Sequence, residues 1–225
     1  MTQGHSLATP GHGSRWRYAA TLFLACLAGW VDAVSFVRWN GLYVSFMSGN
    51  TTSFAVSTIL HRWSEAGRRV SVLAAFVVGV VCGELFGRWA QRKRFNFVAL
   101  AEASLLAVSA MIAHTTASAM LVPVLLALAM GVQNTVLRRA AGFSIALTYI
   151  TGTMVRFGRA VVSAICRDTS WKHAILYAGV WLAFVCGALA GAETAIDRSD
   201  TGAMLVPALL LSGFAFWKPL RRRTG

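Results

Sequence analysis

The sequence predicts an all-α polytopic membrane protein made of two internal repeats, with six spanning helices and two broken or re-entrant segments. Three observations predict it. Of 225 residues, 56% are hydrophobic and only 13% charged, against about 25% charged in soluble domains. Eight apolar segments follow one another with short connections, near 17–37, 42–60, 70–90, 95–114, 118–137, 141–165, 173–192 and 201–218. A span takes about 20 mostly apolar residues. Two of the eight are interrupted by polar residues and glycine, and backbone broken at membrane depth persists only where protein covers it or it lines a cavity.

Residues 1–14 are polar and Gly-rich and read as a mobile tail. Arg15 and Arg17 lead into a run that continues to Val37, too long for a cleaved signal segment and therefore a first span. It carries Asp32. The second segment, Gly41 to Ser57, is broken by Ser48, Gly49, Asn50, Thr51, Thr52 and Ser53. The third carries Gly79, Gly83 and Gly87, whose spacing of four places them on one helix face as packing residues. Glu84 precedes Arg88 by four residues, the spacing of a local ion pair. Glu102 lies within the fourth segment, and Gln133 and Asn134 within the fifth. The sixth is broken at Thr151, Gly152 and Thr153 and carries Arg156 and Arg159, which suit an anionic headgroup or solute, or simply set orientation. The seventh repeats the small-residue face with Gly187 and Gly191.

Val81 to Gly87, VCGELFG, returns 104 residues later as VCGALAG. Gly49 is echoed by Gly152, and Gly29 with Asp32 by Gly131 with Asn134, at nearly the same offset. The halves are then 15–116 and 117–219, followed by a basic tail, 220–225. If the two broken segments each enter and leave on one side, six segments span. Most Lys and Arg then gather on the cytoplasmic side with both termini, as the positive-inside rule prefers. The alternative is eight spans, which would place Arg88, Arg92, Lys93 and Arg94 outside. Six spans make the halves inverted.

The net charge is +13, but Lys and Arg lie between or beside apolar stretches, where they orient the chain and meet anionic lipid. No basic stripe with stacking aromatics points to nucleic acid. Cys26, Cys82, Cys166 and Cys186 form no CxxC pair and the histidines are scattered, so no disulfide framework, metal site or cofactor is expected. No Gly-x-Ser-Gly elbow or dinucleotide fingerprint is present, and no histidine is placed within a span to serve as a base. An enzyme is not expected.

GWVDAVSF, SFMSGN, GVQN and TYITGT, in that order and spacing, resemble the YoaK family of bacterial multi-pass inner-membrane proteins, a domain family of unknown function. The resemblance runs from about Arg17 to Phe216. Ser48 stands where the family has Thr. What it implies is an inner-membrane location without an assigned activity.

The residues themselves suggest a small-solute transporter or channel with its site between the two broken helices. Asp32, Ser48, Gly49, Asn50, Thr51, Gln133, Asn134, Thr151, Gly152 and Thr153 would form it. Asp32 could carry a proton, bind a cation or cap a neighbouring helix; an acid within a span is a functional candidate by default. The expected partners are the lipid bilayer and a small polar or charged solute, with self-association left open. The alternative is a non-transporting protein that assembles or stabilises a partner, with the glycine faces as its contact surface.

Overall fold

The computed structural model describes residues 12–90, 94–113, 118–140 and 150–197, together with 207, 209 and 210. Every regular element among them is helical. Helices α1 (His12–Arg38), α2 (Met47–Ile59), α3 (Trp63–Ala90), α4 (Arg94–Ile112), α5 (Ser118–Ala140), α6 (Ile150–Ile165) and α7 (Lys172–Asp197) follow in order. Residues 207, 209 and 210 are also helical. The first helix begins at His12, inside the stretch expected to be a tail. The basic tail, and most of the last apolar segment, lie outside the described residues.

Three helices end in the same way. After α1, Asn40 adopts φ 50° and the Gly41 amide donates back to the Phe36 carbonyl at 3.0 Å. After α2, His61 has φ 55° and the Arg62 amide reaches the Ser57 carbonyl at 2.8 Å. After α6, Arg167 has φ 62° and the Asp168 amide reaches the Ser163 carbonyl at 2.9 Å. A left-handed residue followed by this long return bond satisfies carbonyls that a helix end leaves unpaired.

Two helix pairs form the body. α1 packs along α7, and α5 packs along α3. Both contacts rest on glycine, because a side chain would not fit. A Cβ on Gly187 would meet the Cys26 carbonyl, one on Gly191 the Trp30 carbonyl, and one on Gly29 the Phe184 carbonyl. In the other pair, a Cβ on Gly79 would meet the Leu128 carbonyl, one on Gly83 the Thr135 side chain and Val132, and one on Gly131 the Phe76 carbonyl. Contact positions advance together along both members of each pair, so α1 and α7 are parallel, as are α3 and α5. Close backbone approach at small residues is how membrane helices gain packing energy where lipid offers no hydrophobic drive. α4 covers α5 and α3, α2 lies on α3, and α6 lies on α7.

The start of α3 returns to the end of α1. Arg69 Nη1 donates to the Gly41 carbonyl at 3.4 Å, and Trp39, Asn40 and Leu42 share a small cavity with Glu65, Arg68 and Arg69.

Among the described residues, three stretches are long and apolar enough to cross a membrane: Tyr18–Arg38, Trp63–Trp89 and Lys172–Asp197. Ala99–Ile112 and Met120–Thr135 are shorter apolar stretches. The first is 61% buried and central; the other two are only 28% and 22% buried. Their open faces carry Val77, Val81, Leu85, Phe86, Ile175, Leu182 and Leu189, a surface that suits lipid rather than water. With 13 residues, α2 is about 20 Å long, short of the roughly 30 Å hydrocarbon core.

Candidate functional site

The carboxylate of Asp32 organises the segment between α1 and α2. Its Oδ1 accepts the Val44 amide at 2.7 Å and the Ser45 amide at 2.9 Å. Its Oδ2 lies 2.8 Å from the Ser45 hydroxyl. Asp32 is 5% exposed, and these bonds make its burial tolerable. One layer out, Asn50 Oδ1 accepts the Tyr43 amide at 3.2 Å and Asn50 Nδ2 donates to the Tyr43 carbonyl. The Tyr43 ring sits 5.0 Å from that of Phe36 and 5.2 Å, edge-on, from that of Phe46. Gly49 leaves room for the Phe46 ring, which a Cβ there would strike.

This corrects the expected position of the first break. Ser48, Gly49, Asn50, Thr51, Thr52 and Ser53 are helical, inside α2. The irregular stretch is 39–46. The cause is side-chain substitution for helical partners: Asp32 and Asn50 take the amides of Tyr43, Val44 and Ser45. In the second half, Thr151, Gly152 and Thr153 lie in the first turn of α6; residues 141–149 lie outside the described residues.

Beside Asp32 is a cavity of about 470 Å³. Asp32, Ala33 and Phe36 of α1, Tyr43, Ser45 and Phe46 before α2, Ile150 and Thr151 of α6, and Phe184 and Ala188 of α7 are among its lining residues. The entries to both short helices therefore meet at one space. The wall is mainly apolar, with polar groups confined to Asp32, Ser45, Thr151 and Tyr43, an arrangement typical of small-molecule sites. A carboxylate offers about four acceptor positions, and the amides of Val44, Ser45 and Phe46 and the Ser45 hydroxyl all approach this one.

Of the ten residues expected at the site, Asp32 and Thr151 line this cavity. Gly49 and Asn50 shape the loop behind it. Ser48 and Thr51 are exposed, and the Thr51 hydroxyl donates to the Met47 carbonyl at 2.9 Å. Gly152 and Thr153 are buried in α6. Asn134 donates to the Met130 carbonyl on its own helix at 2.8 Å. The glycines assigned to packing lie inside the protein: Gly79, Gly83, Gly87, Gly187 and Gly191 are buried, and four of them form the α1–α7 and α3–α5 contacts. They offer no free surface to a partner.

Gln133 belongs to a second polar centre. Its amide nitrogen donates to the Leu24 carbonyl of α1 at 3.5 Å, and its side chain meets Glu102 of α4. Both residues are 1% exposed, among fully buried Leu106, Leu126 and Met130. Glu102 Oε1 and Gln133 Oε1 have no hydrogen-bond partner among the described residues. Sequence reasoning placed Glu102 within the fourth segment without giving it a role, although an acid in an apolar segment is itself a signal. It missed Tyr43, Ser45 and Phe46 because the break was expected further along the chain. Glu84 does meet Arg88, at 3.7 Å.

Comparison with known proteins gives two findings. The model of the family described as "Protein of unknown function (DUF1275)" matches residues 20–217. The chain is 34% identical over 206 residues to the UPF0700 transmembrane protein RA0705 of Rhizobium meliloti (strain 1021), covering 88% of this chain and 85% of that protein. No solved structure matches.

Proposed function

This chain belongs to the DUF1275 family of unknown function, and we propose that it carries a small solute across the bacterial inner membrane, bound where the two short helices begin. The observation that carries this reading is a cavity that touches the entries to α2 and α6 and the carboxylate of Asp32. In other transporter folds, paired broken helices meet near the midplane and form the substrate site. The cavity suits a solute with an apolar body and one cationic or hydrogen-bond-donating head, set against the carboxylate of Asp32.

The reading includes an inverted duplication with six spans and cytoplasmic termini. The meeting of the α3 start with the α1 end supports it: residues 39–59 dip inward and come back to the same end, so α1 and α3 are antiparallel. Because α3 and α5 are parallel, α1 and α5 then oppose each other. The swapped pairing of α1 with α7 and α5 with α3 supports it further. Gly29 meets Phe184 and Ala188 as Gly131 meets Phe76 and Val80. These contacts set the first helices 102 residues apart and the third helices 108 apart. Gly187 and Gly191 then correspond to Gly79 and Gly83, one helical turn on from the 104-residue sequence match. No catalytic step belongs to this reading.

The test is thermal unfolding of the purified full-length protein with primary alkylamines of graded length, and with the matching alcohols and carboxylates. Amines of one length range are expected to raise the midpoint. Ala33→Leu and Thr151→Leu, which fill the cavity from two helices, should remove that shift while the unliganded midpoint stays near wild type. An absent shift, or one that both variants keep, would overturn the reading.

A further inference from the structure

A separate basic pocket lies between α6 and α7. It has a volume of about 300 Å³ and is lined by Arg156, Arg159, Ala160, Ser163, Thr169, His173 and Tyr177. Residues 156, 159, 160 and 163 recur at the spacing that places them on one face of α6. His173 and Tyr177 stand one turn apart at the start of α7. The turn between the helices is fastened to α6, since the Ser163 carbonyl accepts the amides of Asp168 at 2.9 Å and Thr169 at 3.2 Å. That fixes Thr169 at the pocket.

The chemistry of the lining is one-sided. It holds two guanidinium groups, an imidazole and three hydroxyls, and no carboxylate. Neither arginine forms an ion pair among the described residues. Arginine presents a planar fork of donors that matches phosphate oxygens. Exposed apolar side chains flank the polar ones along both helices: Phe157, Val162 and Ile165 on α6, and Trp171 and Ile175 around the start of α7. Tryptophan beside basic residues at a helix end is characteristic of the membrane interface, and basic pockets between membrane helices receive lipid headgroups.

We propose that this pocket binds a phosphate group, presented by an anionic phospholipid of the surrounding leaflet or by a soluble phosphate compound. The guanidinium groups of Arg156 and Arg159 neutralise it, and the hydroxyls of Ser163, Thr169 and Tyr177 donate to its remaining oxygens. The site stands apart from the Asp32 cavity, with which it shares no lining residue.

The experiment uses the full-length protein in neutral detergent, with binding and thermal midpoint measured against phosphatidylglycerol, phosphatidylcholine and inorganic phosphate at matched ionic strength. Phosphatidylglycerol is expected to bind and raise the midpoint, phosphatidylcholine to do neither. The double variant Arg156→Gln/Arg159→Gln should bind phosphatidylglycerol at least about tenfold more weakly, the loss expected for charge-assisted hydrogen bonds. A shift with inorganic phosphate that the double variant also loses would assign the site to a soluble phosphate compound; a shift with phosphatidylglycerol alone assigns it to lipid. Should the double variant fail to fold, Ser163→Ala/Thr169→Val supplies the comparison with a smaller loss. Arg68→Gln, a basic position elsewhere, should bind as wild type. The proposal is overturned if neither phosphate source acts, if the pocket variants bind as wild type, or if Arg68→Gln weakens binding equally.

Discussion

Asp32 and Ser45 meet twice, through the Ser45 amide at 2.9 Å and its hydroxyl at 2.8 Å. Thirteen residues of chain are closed into a loop by one carboxylate. Asp32→Ala would leave the buried amides of Val44 and Ser45 without acceptors, at about 1–3 kcal/mol for each. The expected result is a loss of about 2–5 kcal/mol in detergent unfolding. Ser45→Ala, which removes one bond and keeps the amide, should cost roughly 1–3 kcal/mol. Equal stability of Asp32→Ala and wild type would mean the loop is held by something else.

Glycine-to-alanine substitution should divide by position. At Gly187 and Gly79 an added Cβ meets backbone of the neighbouring helix, and overpacking of this kind costs about 1–3 kcal/mol. At Gly67 and Gly158 nothing lies within reach, so alanine should stabilise the helix by about 0.5–1 kcal/mol. Unfolding midpoints of the four single variants decide it; a uniform effect of one sign would contradict the packing described.

Glu102 and Gln133 should behave as a unit. Glu102→Gln keeps size and hydrogen bonding and is expected to stay within about 1 kcal/mol of wild type. Glu102→Ala should cost about 2–5 kcal/mol through the cavity and the unpaired Gln133. A double-mutant cycle of Glu102→Ala with Gln133→Ala should give a coupling of about 0.5–3 kcal/mol. Strict additivity would place the two side chains out of contact.

Single cysteines at Ser64 and Ser170, both exposed, report membrane sidedness in a background free of Cys26, Cys82, Cys166 and Cys186. Six spans place these positions on opposite faces of the membrane; eight place them on the same face. An impermeant thiol reagent applied to intact cells should label Ser64→Cys and not Ser170→Cys. Matching behaviour of the two would remove the inverted arrangement and, with it, much of the support for a shared site.

The membrane class, the helical architecture and the family motifs were legible from the chain, because apolar length and low charge constrain what lipid will accept. The Glu84–Arg88 pair was legible for a similar reason, being a local contact four residues apart. The position of the first break was not. Ser48–Ser53 has the composition of a loop, yet a polar residue does not unwind a helix when its hydroxyl can return to the backbone, as Thr51 does. What unwinds residues 39–46 is a remote acceptor, Asp32, and local composition carries no record of it.

By itself the sequence determined that the chain is a helical membrane protein and which residues are costly to bury. Only the tertiary structure decided which of them share a space. It brought Asp32 and Thr151 to one cavity, sent Gln133 to Glu102, and turned the glycine faces inward. The physical reason is that helix periodicity fixes the face a residue occupies, whereas close packing between α1 and α7, and between α3 and α5, fixes which faces meet.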